Sequence, residues 1–287
     1  MIRLDSHQHF WRFERARDAW ITDDMRAIRR DFLPADLAPA LASNRIDGCI
    51  AVQADQSAAE TRFLLDLARQ HSFIRGVVGW VDLRSSELEA TLEHLRGEPL
   101  LRGVRHVAQA EADDFLTRDD VIRGIERIGR AGLTYDILIV ERQMPAALSL
   151  TARLPDQPFV LDHLGKPAIR EGRLEPWAGR LRELARRPNV CCKLSGLVTE
   201  ADWTRWQPAD LRPYLDVALE AFGPDRLMFG SDWPVCLVAA PYDRVLGVVA
   251  DYTAALSVAE REAVFGGTAA RVYELDARGW APRATNK

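Results

Sequence analysis

The chain alternates between short apolar runs and stretches with helical periodicity, and this rhythm limits its fold more than any other feature. The apolar runs are continuous and rich in β-branched residues, which is typical of strands covered on both faces of a parallel sheet. Eight such runs occur, at Ile2–Leu4, Gly48–Ala54, Arg75–Val81, Leu101–Val107, Leu133–Ile139, Phe159–Asp162, Val190–Leu194 and Leu227–Gly230. We therefore predict eight buried strands.

Amphipathic helices are predicted between the strands. Apolar residues recur at i, i+3 and i+4 in Ala58–Gln70, Arg118–Arg130 and Trp177–Arg186. A glycine-rich phosphate loop, which a doubly wound sheet would carry after its first strand, is missing: the segment there reads Asp5-Ser-His-Gln-His9. We predict an α/β fold, a single-domain (β/α)₈ TIM barrel over residues 1–287.

Length and charge agree with one enzyme-sized domain. The chain has 287 residues, and a (β/α)₈ barrel typically needs ~250. A 47% share of hydrophobic residues and a 28% share of charged residues are ordinary for a globular protein. The formal net charge of −4 argues against a nucleic-acid partner, which usually requires a concentrated basic surface.

Cysteine usage and the amino terminus predict a cytoplasmic protein with no membrane partner. The amino terminus lacks the basic stretch and apolar core of a signal peptide, and no apolar run approaches the ~18 residues that span a bilayer. No CxxC pair or disulfide framework is formed by Cys49, Cys191, Cys192 and Cys236.

One segment, residues 10–32, interrupts the rhythm between the first strand and its helix. Most α/β connections are ~2–6 residues long, and this one is rich in Trp, Arg and Asp. A long loop after a strand lies on the carboxyl side of a barrel. We predict that it lies over the barrel mouth as part of the substrate pocket; a simple surface excursion is the alternative.

Polar side chains follow every predicted strand. Active sites of (β/α)₈ barrels lie at the carboxyl ends of the strands, so these residues are candidates for function. In strand order they are Asp5, His7 and His9; Gln53; Trp80 and Asp82; Arg105 and His106; Tyr135 and Asp136; Asp162 and His163; Lys193 and Ser195; and Ser231, Asp232 and Trp233.

His7 and His9 form the most informative pair. Residues two apart in an extended chain point to the same side, so both rings can face the barrel axis, where they could ligate a metal or hydrogen-bond one oxygen. Taken alone, His163 is typical of a core histidine and Asp232 of a helix cap. Lys193 inside an apolar strand is costly unless it is paired or reaches a polar cavity.

Four motifs in order resemble the amidohydrolase superfamily, of the amidohydrolase-2 type. Within it they are most similar to the sugar-lactonase branch, with its fuconolactonase-like and rhamnonolactonase-like enzymes. The resemblance runs from residue 1 to about Leu275. The motifs are Asp5-Ser-His-Gln-His-Phe-Trp11, Leu161-Asp-His-Leu-Gly-Lys-Pro167, Lys193-Leu-Ser-Gly196 and Phe229-Gly-Ser-Asp-Trp-Pro234.

The resemblance implies a distorted barrel and a catalytic set. Its histidines and aspartate fall on His7, His9, His163 and Asp232. Metal-rich members often carry a Lys or Glu that bridges two metals at strand four, where this chain has Arg105-His106. The resemblance therefore implies either no required cofactor or a single zinc held by those same four residues.

The resulting hypothesis is hydrolysis of a sugar lactone. Asp232 takes a proton from water, the water oxygen attacks the lactone carbonyl, and Asp232 returns the proton to the leaving ring oxygen. His7, His9 and His163 stabilise the oxyanion directly or through zinc, and one such donor supplies ~3–4 kcal/mol. The expected substrate-binding residues are Arg105, His106, Lys193, Gln53, Asp82, Trp11, Trp80 and Trp233, with Tyr135 and Asp136 as weaker candidates.

Three alternatives remain at this point. One is a metal-dependent decarboxylase of the same superfamily. A second is a pyrone-dicarboxylate lactonase, but the two substrate carboxylates would find only Arg105 and Lys193 well placed, which favours a neutral sugar lactone from carbohydrate catabolism. The third, a non-catalytic sugar-binding barrel, is disfavoured because all four core polar residues are present. The oligomeric state stays open, a homo-oligomer included.

Overall fold

Eight parallel strands form a nearly closed barrel in the computed structural model, which describes residues 2–275. The strands pair in chain order from β1 to β8, and almost every strand residue is buried. This confirms the predicted (β/α)₈ fold. The strands are β1 (Leu4–Gln8), β2 (Gly48–Val52), β3 (Ile74–Gly79), β4 (Leu101–His106), β5 (Thr134–Ile137), β6 (Phe159–Leu161), β7 (Val190–Leu194) and β8 (Leu227–Phe229).

A helix follows each strand, and two short helices end the described chain. The helices are α1 (Pro34–Ser43), α2 (Ala58–Gln70), α3 (Leu88–Leu95), α4 (Asp119–Arg130), α5 (Met144–Arg153), α6 (Trp177–Ala185), α7 (Pro208–Phe222), α8 (Tyr242–Tyr252), α9 (Val258–Glu262) and α10 (Thr268–Val272). The three helices predicted from periodicity all form, within one residue of their predicted ends. In α4 the periodic residues Val121, Ile125 and Ile128 are fully buried, as an amphipathic helix on a sheet requires.

The first strand differs most from its prediction. The apolar run predicted a strand over Ile2–Leu4, whereas β1 covers Leu4–Gln8 and includes His7. Its polar residues are buried and pair with β2, Asp5 opposite Cys49 and Gln8 opposite Ala51, with a register shift between the two pairs. Hydrophobicity marks the part of a strand inside the apolar core, so it misses the part that lines a polar barrel mouth.

The barrel closes through hydrogen bonds between the ends of β1 and β8. The amide of Asp232 donates to the carbonyl of His7 at 2.8 Å, and the amide of His9 donates to the carbonyl of Trp233 at 2.7 Å. Beneath them the Asp5 carboxylate accepts from the hydroxyl of Ser231 at 2.6 Å. Burial raises the pKa of Asp5 to about 6, against the lowering effect of its hydrogen bonds.

The predicted mouth segment, residues 10–32, packs against the end of β8. Trp11 pairs with Phe32 through two backbone hydrogen bonds of 3.0 and 2.9 Å, and the Trp11 indole donates to the carbonyl of Arg30 at 2.8 Å. The ring of Phe32 lies edge-on to Trp233 with 5.2 Å between centroids. These contacts tie the segment to the strand end that carries Asp232.

Between residues 2 and 275, no helix has the length and apolar character needed to cross a bilayer. The predicted single domain extends to residue 287, and its last twelve residues lie outside the described part of the chain.

Candidate active site

Barrel closure brings three of the predicted catalytic residues together. The Nε2 atoms of His7 and His9 lie 3.2 Å apart. Asp232 Oδ1 lies 3.4 Å from His9 Nε2 and 3.8 Å from His7 Nε2. Since the backbones of His7 and Asp232 are hydrogen-bonded to each other, this convergence follows from the register between β1 and β8.

His163 joins the group from the end of β6 on an unusual backbone. Its ring centroid lies 4.4 Å from that of His7, and its Nδ1 lies 2.9 Å from the hydroxyl of Ser195. A Cβ at Gly196 would lie 2.7 Å from the His163 ring, so a larger residue there would displace the imidazole. The glycine after Ser195 therefore makes room for the ring.

Two of these site residues occupy left-handed backbone conformations that non-glycine residues rarely adopt. His163 has φ +52° and Asp232 has φ +58°. Such conformations cost of order 1–3 kcal/mol each and are found most often at functional sites. The strain is held in place by the surrounding packing, because both residues are buried.

A layer of buried charges lies beneath His7. Lys193 Nζ is 2.6 Å from Asp136 Oδ2 and 3.0 Å from Asp162 Oδ1. Arg105 Nη1 is 3.0 Å from Asp162 Oδ2. Two cations thus balance two carboxylates in the barrel interior, which is the condition for burying charge at acceptable cost.

His7 sits between this charged layer and the other site residues. Its Nδ1 is 3.2 Å from both Asp162 Oδ1 and Lys193 Nζ, and Arg105 Nη1 is 3.3 Å from its Nε2. Burial lowers the pKa of His7 well below its usual range; Asp162 opposes the shift and Lys193 adds to it. His7 is therefore neutral at neutral pH.

The carboxylate and the third histidine have well-defined charge states. Burial lowers the pKa of His163 to about 4, against the opposing effect of Asp232. Burial alone would raise the pKa of Asp232, but the neighbouring His163, the hydrogen bond with His9 and the nearby His7 lower it below its ordinary value. At neutral pH the site holds the Asp232 carboxylate beside the neutral rings of His7 and His163.

The tautomer of His9 follows from its contacts. Its Nδ1 lies 2.8 Å from the carbonyl oxygen of Val52, which can only accept. Nδ1 therefore carries a proton, and Nε2 is the ring atom that faces Asp232 and His7. A ring held in this way presents Nε2 to a proton or a cation.

The donor set fits one metal ion. Tetrahedral zinc with bonds of ~2.0–2.2 Å holds its ligand atoms ~3.3–3.5 Å apart, close to the 3.2, 3.4 and 3.8 Å among His7, His9 and Asp232. These three form one potential metal-binding group, whereas His163 groups with His7 and Asp162. The guanidinium of Arg105, beside His7 Nε2, places a fixed positive charge next to that position.

The predicted substrate-binding residues lie in different places. Near the site lie Trp11, whose ring centroid is 6.4 Å from that of His9, and Trp233, whose backbone pairs with His9. Gln53 is fully buried: its side-chain amide donates to the carbonyl of Arg105 at 3.1 Å, and its backbone carbonyl accepts a hydrogen bond from the Arg105 guanidinium. His106 lies 2.9 Å from Glu111 and stacks on Phe115.

Three other predicted residues, Lys193, Trp80 and Asp82, lie away from the open site. Lys193 is fully buried below His7. Trp80 and Asp82 line a separate cavity of about 370 Å³ between α2 and α3, together with Leu65 and Leu95. Trp80 lies away from the barrel mouth because the hydroxyl of Thr61 hydrogen-bonds to both its amide and its carbonyl, each at 2.8 Å. Position at a strand end predicted that Trp80 lines the barrel mouth and did not show that it faces the space between α2 and α3.

Sequence analysis assigned no role to two residues that complete the site. Asp162 had a signal, since it precedes His163 at a strand end, yet it looked like an ordinary polar neighbour. Tyr273 had none, because it lies after the last strand. Its hydroxyl is 2.7 Å from Asp136 Oδ2, so a residue from the end of the chain reaches the charged layer.

A family profile described as Amidohydrolase matches residues 4–275, and the chain belongs to this family. It is 48% identical to the L-fucono-1,5-lactonase of Burkholderia multivorans (strain ATCC 17616 / 249), over 96% of each protein. It is 40% identical to the L-fucono-1,5-lactonase of Burkholderia ambifaria, over 96% of each. A crystal structure of an amidohydrolase from Burkholderia multivorans with bound Zn superposes with a TM-score of 0.93 at 47% identity, covering 96% of this chain and 100% of that one.

Proposed function

We propose that this chain hydrolyses a sugar lactone of the L-fucono-1,5-lactone class to the open-chain sugar acid. The observation that carries the proposal is the convergence of a carboxylate, Asp232, with His7, His9 and His163, in a chain 48% and 40% identical to two L-fucono-1,5-lactonases. Such a group contains the base and the electrophilic side that ester hydrolysis needs.

Asp232 acts first as general base. Its lowered pKa keeps it ionised at neutral pH, so it can accept a proton from a water molecule as the water oxygen attacks the lactone carbonyl. The ester C–O bond then breaks, and the protonated Asp232 gives its proton to the departing ring oxygen. The product is a hydroxy acid.

The imidazoles stabilise the negative charge that forms on the carbonyl oxygen. His163 and His7 are neutral at neutral pH and can donate a hydrogen bond from a ring N–H. Donors fixed in advance in a water-poor site each contribute ~3–4 kcal/mol to the transition state. The buried Ser195 and the charged layer hold these rings in place.

We assign Lys193 and Arg105 to holding His7 and Asp162 in position, because both side chains are buried and paired. For contact with the sugar we retain Trp11, Trp233, His106 and Gln53. Aromatic rings pack against the apolar face of a sugar.

A single zinc is part of the proposal as an optional ligand. His7, His9 and Asp232 would hold it, with His163 adjacent. When bound, zinc polarises a carbonyl or lowers the pKa of a bound water.

We further propose that the reaction takes place in the cytoplasm, in keeping with four cysteines that are all unpaired and buried.

A lactone panel tests the proposal directly. Purified protein is offered a series of 1,4- and 1,5-sugar lactones, pyrone dicarboxylate and aromatic acids, with and without chelator, and proton release and carbon dioxide are recorded. We expect hydrolysis of one or more sugar lactones. Carbon dioxide release that chelator abolishes, with no lactone hydrolysis, would replace this proposal with a decarboxylase.

A further inference from the structure

Tyr273 enters the barrel from the end opposite the site. It directly follows α10 and is 1% exposed. It packs in an apolar cluster that is separate from the main core and collects strand residues facing the barrel interior, namely Leu4, Ile50, Val52, Val78, Val160, Cys191 and Met228, with Ala269 from α10. The end of the described chain thus closes the floor of the barrel.

The segment before α10 is fitted tightly to the start of the chain. A Cβ at Gly266 would lie 2.3 Å from the carbonyl oxygen of Ile2, so glycine is what allows this approach. The position of Tyr273 is therefore fixed relative to β1, the strand that carries His7.

The hydroxyl of Tyr273 supports the charged layer from below. It donates to Asp136 Oδ2 at 2.7 Å, and Lys193 Nζ donates to the same oxygen at 2.6 Å. The Lys193 ammonium also lies 5.5 Å from the centroid of the Tyr273 ring. Tyr273 therefore interacts with Lys193 in two ways: its ring lies near the ammonium, and both residues donate a hydrogen bond to the same oxygen of Asp136.

Lys193 connects Tyr273 and Asp136 to the active site. Its ammonium, with three donors, faces Asp136 Oδ2, Asp162 Oδ1 at 3.0 Å and His7 Nδ1 at 3.2 Å. Loss of the tyrosine hydroxyl would leave the buried Asp136 with fewer donors. The ammonium would then be drawn towards Asp136 and away from His7.

We propose that Tyr273 is a positioning residue for the active site, which acts through Asp136 and Lys193 to fix the orientation of His7. This rests on the proposed function for its effect on turnover, but its effect on the His7 ring does not depend on the reaction. A phenylalanine fills the same volume, so the hydroxyl is the part under test.

The variant Tyr273→Phe should lower kcat ~10-fold with little change in KM, because partners behind a site residue typically contribute on this scale and substrate contacts are untouched. The matched control is Tyr214→Phe. Tyr214 is equally buried, and its hydroxyl donates to the carbonyls of Ala168 and Arg173. That variant should lose stability and keep kcat.

A second readout follows the His7 ring itself. With ¹⁵N-labelled histidine, Tyr273→Phe should shift the ring nitrogen signals of His7 and leave those of His71 and His94 unchanged. If kcat and the His7 signals both match wild type, the inference is overturned while the proposed function stands. If wild type hydrolyses no lactone, the proposed function fails, and the His7 signals still decide the inference.

A milder variant keeps the test open if Tyr273→Phe does not fold. The Thr134 hydroxyl lies 3.2 Å from the carbonyl oxygen of Arg102 and 3.4 Å from Asp136 Oδ1, so Thr134→Val removes a donor that Asp136 shares with that carbonyl. It should shift the His7 signals as well, by a smaller amount. Unchanged His7 signals in folded Thr134→Val would contradict coupling through Asp136.

Discussion

At the scale of single residues, the site depends on the contrast between Asp232 and the imidazoles around it. All are buried, yet the carboxylate is kept ionised and His163 is kept neutral. This division gives one group that accepts a proton and others that can donate hydrogen bonds. Position at a strand end made each of them a candidate; their mutual distances make them a set.

The variant Asp232→Asn should lose roughly 10²–10⁴-fold in kcat, because the amide has the same shape but cannot accept a proton from water. Its melting temperature should stay near that of wild type, since the backbone bond to His7 is kept. Initial rates on the best lactone and a thermal melt are the measurements.

The control for that variant is Asp66→Asn, an exposed carboxylate on α2 that pairs with Arg69. It should leave the rate unchanged. A rate for Asp232→Asn within a few-fold of wild type would show that another group is the base.

At the scale of elements, the local sequence pattern predicted which helices and strands form, and packing between elements decided the residue at which each one ends. The three periodic helices formed as predicted because amphipathic spacing needs only a sheet to pack on. β1 extended past its apolar run because β2 and β8 provide backbone partners for polar residues. Trp80 turned outward because a threonine on α2 binds its backbone, a contact between elements that no spacing encodes.

The junction between β2 and α2 contains a buried acid that should make the free energy of unfolding depend on pH. Glu60 accepts from the amide of Ala54 at 3.1 Å, and burial, the largest cause, raises its pKa from 4.5 to about 7. Between these pH values the folded state keeps a proton that the unfolded state releases. The free energy of unfolding should therefore fall as pH rises through this range.

The variant Glu60→Gln keeps an oxygen for Ala54 and removes the titration. Relative to this variant, wild type should lose up to about 3 kcal/mol between pH 4.5 and 7, measured by urea unfolding at several pH values. Glu93→Gln, at an exposed ion pair on α3, should run parallel to wild type. Parallel curves for Glu60→Gln and wild type would mean that Glu60 is ionised in the folded state throughout.

At the scale of the whole molecule, ligand binding to the folded state links the site to global stability. A metal that binds the native site and not the unfolded chain raises the free energy of unfolding by about 2.7 kcal/mol at 100 times its Kd. Zinc should therefore raise the melting temperature of wild type. His9→Gln should remove most of that increase, since His9 is one of the three residues that would hold the zinc.

The control for the zinc measurement is His94→Gln, an exposed histidine on α3, which should respond to zinc as wild type does. An equal response of His9→Gln would place the zinc elsewhere. No response in wild type would mean that the site does not bind zinc, which leaves the guanidinium of Arg105, 3.3 Å from His7 Nε2, as the cation beside it.

The sequence by itself determined the barrel, the number of strands and the identity of His7, His9, His163 and Asp232 as candidates. The barrel and its strands follow from periodicity, and the four candidates follow from position at strand ends together with the resemblance to the amidohydrolase superfamily. Only the tertiary structure decided which polar groups meet. Lys193 lies below the site, Trp80 lies outside it, and Tyr273 contacts the charged layer from the opposite end of the barrel. The sequence does not show these contacts, because they depend on barrel closure and on the register between segments distant in the chain.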